Sequence, residues 1–356
     1  MSCERRTSDN FRTEILRCDM KYGDLIGLIT LGMLWGMSFL LIRMAVPEFG
    51  AVSLMAVRVA LAAAVLMPLL LQRGQLGLIL QRWRAISLMG LLHYAVPFWL
   101  FAYSMLTLSA GYSSVINASA PLFAGMIAWF WLGERLNASR TTGLIVGMAG
   151  VVLLVWNKLA IESGSVAPAV FASLLAAFCY GLAAVLAKKK LAGVDPVAVT
   201  GGSMAVAALA LLPLSFLFWP ATTPSLDAWG MAAVLGVVCT AAAFVMYFRL
   251  IAAIGPSRAI TVTVLIPAFA VVFGAVFIDE QITSSMIIGG LVVALGTALS
   301  TGLIDLQTLG RKTGAFAIRT VGVLVAIAAL DDTPPDIHAE EWRVNTPIYV
   351  AANVFS

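Results

Sequence analysis

The side chains able to bind or react in this sequence are a few polar and aromatic residues set among long apolar runs. Tyr94, Pro97 and Phe101 stand at helical spacing in one run, and Ser113 precedes Asn117 by one helical turn in the next. Residues spaced in this way share one face of a helix. Because a hydroxyl or amide left in hydrocarbon is costly, we expect these faces to line a cavity. The alternative is that Ser, Thr and Asn side chains on these faces only hydrogen-bond one helix to another.

The stretch of sequence that contains these residues is repeated within the chain. Residues 98–136 align with residues 244–282, so that Asn117 falls on Thr263 and Phe101 falls on Tyr247. Such self-similarity indicates a duplicated architecture, and both copies would then supply helices to one cavity. Aromatic rings with hydroxyl and amide groups suit a small organic solute with an apolar body. The expected substrate-binding residues are Trp35, Ser38, Tyr94, Phe101, Ser113, Asn117, Tyr180, Thr240, Tyr247 and Thr263.

Composition places these runs in a lipid bilayer. The chain of 356 residues is 61% hydrophobic and 11% charged, whereas soluble domains average about 25% charged residues. Apolar runs of about 20 residues match a hydrocarbon core of about 30 Å. Helix is the expected state, because lipid cannot satisfy backbone groups. We therefore expect an all-α integral membrane protein with ten transmembrane helices. The expected spans are residues 25–46, 52–71, 85–106, 109–132, 141–158, 168–187, 197–219, 230–251, 257–278 and 285–304.

Lysine and arginine are concentrated in alternate loops. One side of the membrane would hold Arg73, Arg82, Arg84, Arg135, Arg140, Lys188, Lys189, Lys190 and Arg258. The other would hold Lys158, with Arg43 at the end of its span. The positive-inside rule then places both termini in the cytoplasm, with the chain crossing the cell (inner) membrane many times.

An odd number of spans in each copy has a topological consequence. With five helices per copy, the second copy must enter the membrane upside down, which gives two inverted five-helix repeats. Secondary transporters are built in this way, and their substrate site lies near the midplane between the copies. The predicted divisions are a cytoplasmic N-terminal tail at 1–24, the first repeat at 25–158, the second repeat at 168–304 and a cytoplasmic C-terminal tail at 305–356.

Several short motifs point to a known family. Residues 34–39 read Leu-Trp-Gly-Met-Ser-Phe, residues 131–136 read Trp-Leu-Gly-Glu-Arg-Leu with an echo at 277–282, and residues 143–150 carry spaced glycines. With Arg58 in the second span, these features resemble the EamA-type family of the drug/metabolite transporter superfamily. The resemblance covers roughly residues 25–304 and does not specify a substrate.

The resemblance implies a multi-pass carrier of small organic solutes such as metabolites, amino acids or toxic amphipathic compounds. Export is the expected direction, and the same helices would surround a central cavity. An uptake permease of the same fold and a non-transporting membrane scaffold or sensor are the alternatives. The second copy departs from the pattern, because Gly133 becomes Asp279 and Arg58 has an uncharged partner near Ser203.

Three further kinds of residue inside the predicted spans admit two interpretations each. Arg58 could meet a substrate carboxylate, or it could bond to helix-end carbonyls or extend to the membrane surface. His93 could relay protons or could be a hydrogen-bonded residue of the bundle. Pro97, Pro121 and Pro267 could be hinges or tolerated kinks.

Other classes of function lack the residues they need. The chain has two histidines and four cysteines without the spacing of a zinc site or a metalloprotease motif, and no phosphate-binding glycine loop precedes a lysine. We therefore expect neither an enzyme nor a metal or other cofactor, and no nucleic acid partner. The expected partners are a small-molecule substrate and the lipid bilayer. The spaced glycines permit close helix packing, either within one chain or at the seam of a homodimer.

Overall fold

The computed structural model describes residues 22–161 and 166–304, and every regular element in those ranges is a helix. The main helices are α1 (Tyr22–Phe49), α2 (Ala51–Gln72), α3 (Trp83–Ser104), α4 (Ala110–Leu132), α5 (Ala138–Ile161), α6 (Ala167–Lys190), α7 (Pro196–Leu217), α8 (Leu226–Ile254), α9 (Val262–Ile278) and α10 (Ser284–Thr301). Short helices at Leu76–Gln81 and Pro256–Ala259 lie in the connections before α3 and α9. The predicted C-terminal tail and residues 1–21 of the predicted N-terminal tail lie outside the described residues.

The main helices have the length and composition of membrane spans. Within the described ranges, nine are long and apolar enough to cross a bilayer, and α9 is a shorter apolar helix of 17 residues. The all-α membrane fold is therefore confirmed, whereas a count of ten spans stays a prediction.

The helices end at residues that hydrogen-bond to free backbone N–H groups or that turn the chain away from the helix axis. At the start of α4, the Ser109 hydroxyl accepts a 3.1 Å hydrogen bond from the N–H of Tyr112, as N-cap residues do. At the end of α4, Gly133 adopts the left-handed conformation with φ of 66°. Its counterpart Asp279 adopts the same conformation after α9, with φ of 52°. The departure of Asp279 from the glycine pattern therefore leaves the left-handed turn intact.

Packing between the copies is reciprocal. Helix α1 packs against α9 and α8, as its counterpart α6 packs against α4 and α3, while α2 pairs with α7 and α5 with α10. A Cβ atom added to Gly36 of α1 would lie 2.6 Å from Cβ of Phe269. A Cβ atom added to Gly181, the counterpart in α6, would lie 2.8 Å from Cβ of Phe123, the counterpart of Phe269. Glycine is required at both positions because the facing helix approaches so closely.

The spaced glycines of α5 and α10 face each other within the chain. A Cβ atom at Gly150 would lie 2.8 Å from Val292, and one at Gly296 would collide with the backbone of Gly147. These glycines therefore form an internal seam between the copies. A homodimer stays a prediction, and these glycines are not available to its interface because they pack against each other within one chain.

Two helices carry a wider, π-helical segment at equivalent places. In α3 it spans Gly90–Ala95, and in α8 it spans Val234–Ala242. Such segments hold one extra residue per turn and are frequent at functional sites. Both of them lie beside the cavity described below.

Candidate functional site

A cavity of about 950 Å³ lies between the two copies. Its volume is within the range of ligand pockets, roughly 300–1,000 Å³. The predicted site residues that line it are Trp35, Ser38, Arg58, His93, Phe101, Asn117, Pro121, Tyr180, Tyr247 and Thr263. Both copies thus contribute to one concave surface.

Equivalent aromatic pairs form two walls of the cavity. The rings of Trp35 and Tyr247 have centroids 5.3 Å apart, and those of their counterparts Tyr180 and Phe101 are 6.0 Å apart and stacked. Phe244 packs edge-on against Trp35 at 5.5 Å. Such rings offer flat apolar surface with polar edges. The walls are therefore suited to the apolar body of a small solute.

Three predicted binding residues lie outside the cavity lining. Tyr94 is buried with its hydroxyl 3.5 Å from that of Thr200. Thr240 is fully buried and donates a 2.7 Å hydrogen bond to the carbonyl of Leu235. Ser113 is fully buried near the first turn of α4, away from the cavity.

The π-helical segments explain the positions of Tyr94 and Thr240. Both residues lie inside such a segment, where one extra residue turns the helix face by about 100° relative to the α-helical pattern. The spacing from Tyr94 to Phe101 therefore does not keep both side chains on one face. For Ser113 the reason is different, since it lies one turn from Asn117 toward the closed end of the bundle.

The three prolines have different surroundings. Pro121 lines the cavity just after α4 leaves α-helical geometry at Ala118 and Ser119. Pro97 follows the π-helical segment of α3, and Pro267 lies inside α9, and neither lines the cavity. The hinge role of all three stays a prediction, for which the interruption at Pro121 is the most suggestive feature.

Two residues of the cavity lining each carry a buried polar atom without a protein partner. Nδ1 of His93 and Oδ1 of Asn117 are buried and have no hydrogen-bond partner in the described structure. Buried polar atoms are normally paired, so an orphaned atom calls for an explanation. His93 also packs its ring against Tyr180, with centroids 5.1 Å apart.

Arg58 occupies an unexpected environment. Its side chain is buried, and Nε donates a 2.9 Å hydrogen bond to the hydroxyl of Thr240. Cζ lies 3.8 Å from the centre of the Phe98 ring. The expectation of contacts with helix-end carbonyls or with the membrane surface is therefore wrong. The guanidinium instead borders the cavity between α2, α3 and α8.

The two ends of the bundle carry equivalent ion pairs in different surroundings. At one end Arg43 lies 3.7 Å from Glu280, and their side chains are 31% and 12% exposed. At the other end their counterparts Lys188 and Glu134 form an ion pair whose side chains are 65% and 31% exposed. Glu280 and Glu134 follow the C-terminal ends of α9 and α4, and Ala110, which Glu280 contacts, begins α4. The two pairs therefore lie at opposite ends of α4.

The cavity extends to only one of these ends. Glu134, Arg140 and Lys188 line it, whereas Arg43 and Glu280 do not. At the far end Arg43 donates a 2.6 Å hydrogen bond to the carbonyl of Met105, which ties α1 to the end of α3. Arg43 is thus a bridging residue and does not extend freely to the membrane surface. We call the Glu134–Lys188 end the mouth and the Arg43–Glu280 end the closed end.

A model of the EamA-like transporter family matches residues 22–156 and again residues 167–302. The chain belongs to the EamA-like transporter family. The two matches confirm the resemblance drawn from the motifs and support a two-repeat fold. They do not by themselves determine the relative orientation of the repeats.

Relatives of this EamA protein are named as transporters. The uncharacterized transporter YoaV of Bacillus subtilis is 25% identical, over 78% of this chain and 96% of its own. A probable terminal-alkyne amino-acid exporter of Streptantibioticus cattleyicolor is 26% identical, over 78% of this chain and 92% of its own. A solved crystal structure with 20% identity covers 80% of this chain and 99% of its own, with a TM-score of 0.56, and shows the same fold. These comparisons indicate a membrane transporter rather than an enzyme.

Sequence reasoning missed several residues of the EamA cavity. Phe39, Phe98 and Phe244 line it, and Glu134 and Lys188 form its mouth. The repeat alignment indicated Glu134 and Lys188, because Glu134 aligns with Glu280 and Lys188 aligns with Arg43. A charged pair at each end was therefore readable from the sequence, although which residues pair across the copies was not.

The acidic, histidine and cysteine side chains of the described residues are dispersed. No group of three His, Cys, Asp or Glu side chains is placed there to hold an ion. The described cysteines Cys179 and Cys239 are both buried as free thiols. What the geometry offers is binding, with an aromatic surface, orphaned polar atoms and one guanidinium.

Proposed function

We propose that this EamA protein is a secondary transporter that moves small organic solutes across the cell membrane by alternating access, in the direction of export. The observation that carries the proposal is the cavity, which equivalent residues of both copies line and which reaches only one end of the bundle. A carrier must expose its site to one side at a time, and transporters with paired repeats place that site between the copies.

The proposal includes two inverted repeats and ten spans. The reciprocal packing of α1 on α9 and α6 on α4 supports an approximate twofold relation between the copies. The short helix Pro256–Ala259 precedes α9 and would lengthen its path across the bilayer. With both termini in the cytoplasm, the mouth faces the cytoplasm. A solute would then load from inside the cell, as export requires.

The ion pairs suggest how the two access states interchange. At the closed end, Glu280 accepts a hydrogen bond from the backbone at the start of α4 and pairs with Arg43. At the mouth, Glu134 pairs with Lys188 in a more exposed setting. Exchange of roles between the copies would release Glu280 from the start of α4 and tighten the pair of Glu134 and Lys188. The copies would thereby rock about the central site.

The name of one relative supports both the substrate class and the direction. The Streptantibioticus protein is named as a probable amino-acid exporter. Amino acids and related metabolites combine an apolar body with polar groups, which matches the aromatic walls and the orphaned atoms of His93 and Asn117.

Flux into and out of proteoliposomes tests the proposal. Purified protein should carry amino acids or small amphipathic solutes faster than empty liposomes do. Asn117→Ala should lower that flux about two- to tenfold, since a hydrogen bond to substrate is lost, while its melting temperature stays unchanged because Oδ1 has no protein partner. The matched control is Ser215→Ala, which removes a buried hydroxyl outside the cavity lining. That hydroxyl donates a 2.7 Å hydrogen bond to the carbonyl of Leu212 in its own helix. Folded protein without flux for a broad solute panel would contradict the carrier function.

A further inference from the structure

Arg58 carries a positive charge that no carboxylate among the described residues balances. Of its five N–H groups, Nε donates to Thr240 and Nη1 lies 3.9 Å from the sulfur of Met55, a weak acceptor. The remaining donors have no acceptor among the described residues. The face of Phe98 attracts the guanidinium but supplies no negative charge.

Carboxylates near the cavity do not neutralise this charge. Within the described residues, the cavity lining includes a single carboxylate, that of Glu134. It lies at the mouth and is already paired with Lys188. A buried charge without a counter-ion costs free energy, and an ionisable group inside a membrane protein usually serves a pathway or a ligand. The described residues therefore do not supply the counter-ion of Arg58, and a solute in the cavity is positioned to do so.

The rest of the cavity restricts what that counter-ion can be. One guanidinium matches one carboxylate, with two parallel hydrogen bonds in a planar fork. A phosphate carries more charge than a single arginine balances. The surrounding rings of Trp35, Phe101 and Tyr180 fit an apolar body rather than a polar one.

We propose that Arg58 anchors the carboxylate of the transported solute, so that this protein carries organic acids or zwitterions with an apolar body and discriminates against cations. The inference rests on the proposed transport function and names its substrate class. The amide oxygen of Asn117 and the ring of His93, whose Nδ1 is unpartnered, would contact the remainder of the solute. An amino group is one such partner for the Asn117 oxygen.

A bracing role is the competing explanation, because Arg58 joins α2 to α8 through Thr240. The two roles predict different changes in the melting temperature of the Arg58→Met variant. If the arginine is a brace, Arg58→Met destabilises the protein. If it is a substrate anchor, removing an unbalanced buried charge leaves the melting temperature unchanged or raises it. The carboxylate preference is lost only in the second case.

The test compares an acid with its neutral amide of nearly the same shape. Binding of 3-phenylpropionate, 3-phenylpropanamide and the cation phenethylamine is measured by calorimetry on purified protein, and their flux is measured in proteoliposomes. Leucine and its amide form a second pair. The wild type should prefer each acid over its amide by about ten- to hundredfold, the effect of a hydrogen-bonded charge pair. In Arg58→Met the preference should fall to about onefold while amide binding is retained.

Arg249→Met is the matched control, since Arg249 lies exposed on α8 outside the cavity lining. It should keep the acid preference of the wild type. Equal flux of acid and amide in the wild type, or an acid preference that survives Arg58→Met, would overturn the anchor and leave the carrier function standing. Loss of melting temperature in Arg58→Met with an unchanged preference would establish the brace. Absence of flux for every acid, amide and amine would overturn the proposed function together with the anchor.

Discussion

The carboxylate of Glu280 accepts a 2.8 Å hydrogen bond from the backbone N–H of Ala110, the first residue of α4. Its second oxygen lies 3.4 Å from the N–H of Gly111. A carboxylate at this position satisfies free N–H groups and interacts favourably with the helix dipole. Glu280 belongs to the second copy and α4 to the first, so one side chain joins the copies at the closed end.

Glu280→Gln should weaken the closed end more than Glu134→Gln weakens the mouth. The substitution removes a nearly buried charge that holds two backbone groups and Arg43, at an expected cost of about 1–3 kcal/mol. Glu134 is more exposed, and exposed ion pairs contribute at most about 1 kcal/mol. Thermal unfolding in detergent would compare the two variants. Equal loss of stability in both would show that the closed end is not held by Glu280.

Alanine at Gly36 should destabilise the protein. The new Cβ would lie 2.6 Å from Cβ of Phe269 and 3.1 Å from the backbone nitrogen of Ala270, so α1 must move away from α9. Overpacking of this kind costs about 1–3 kcal/mol. Gly181→Ala should have a similar effect, since the equivalent contact joins α6 to α4. Melting temperatures of the purified variants measure both effects.

The control for these substitutions is Gly230→Ala, near the start of α8. Nothing lies within 4 Å of a Cβ added there, so the substitution should be neutral or stabilising. A melting temperature that falls as far in Gly230→Ala as in Gly36→Ala would contradict the close-packing explanation.

A cysteine in place of Ala184 should react with a membrane-impermeant maleimide from the cytoplasmic side only. Ala184 lines the cavity, and the mouth faces the cytoplasm if both termini do. Labelling would be compared in inside-out and right-side-out vesicles, on a background without native cysteines. Leu106→Cys, near the closed end and exposed, should react from the opposite side. Reaction of both cysteines from the same side would contradict the proposed orientation.

Transport should not require a pH gradient. A carboxylate-based proton relay needs a carboxylate inside the membrane, and the one carboxylate among the described cavity-lining residues is the paired Glu134 at the mouth. Flux measured with and without an imposed gradient, at a clamped membrane potential, should be the same within about twofold. A gradient-driven flux that disappears in His93→Gln protein would instead assign His93 to a proton relay.

The helical fold and the two-copy organisation were predictable because both depend on local pattern. Apolar runs and repeated motifs located the helices, and residues such as Trp35, Tyr180 and Tyr247 were placed on the cavity through their repeat positions. These predictions rest on straight α-helical geometry. Helices α1 and α6 keep that geometry over their whole length.

Side-chain positions could not be predicted where the geometry changes. Nothing in the composition of Gly90–Ala95 or Val234–Ala242 indicates a π-helical segment, so the faces expected for Tyr94 and Thr240 assumed an α-helical geometry that the chain does not keep there. The partner of Arg58 was equally hidden. Thr240 is far from it in sequence, and only the packing of α2 against α8 brings the two side chains within 2.9 Å.

The equivalent π-helical segments indicate when this irregularity arose relative to the duplication that produced the two copies. A π-helical turn corresponds to one residue inserted into an α-helix. Because the segments occupy matching places in α3 and α8, one insertion in a single ancestral half accounts for both more simply than two separate events. The half-length ancestor would then already have contained this irregularity before its gene was copied and fused.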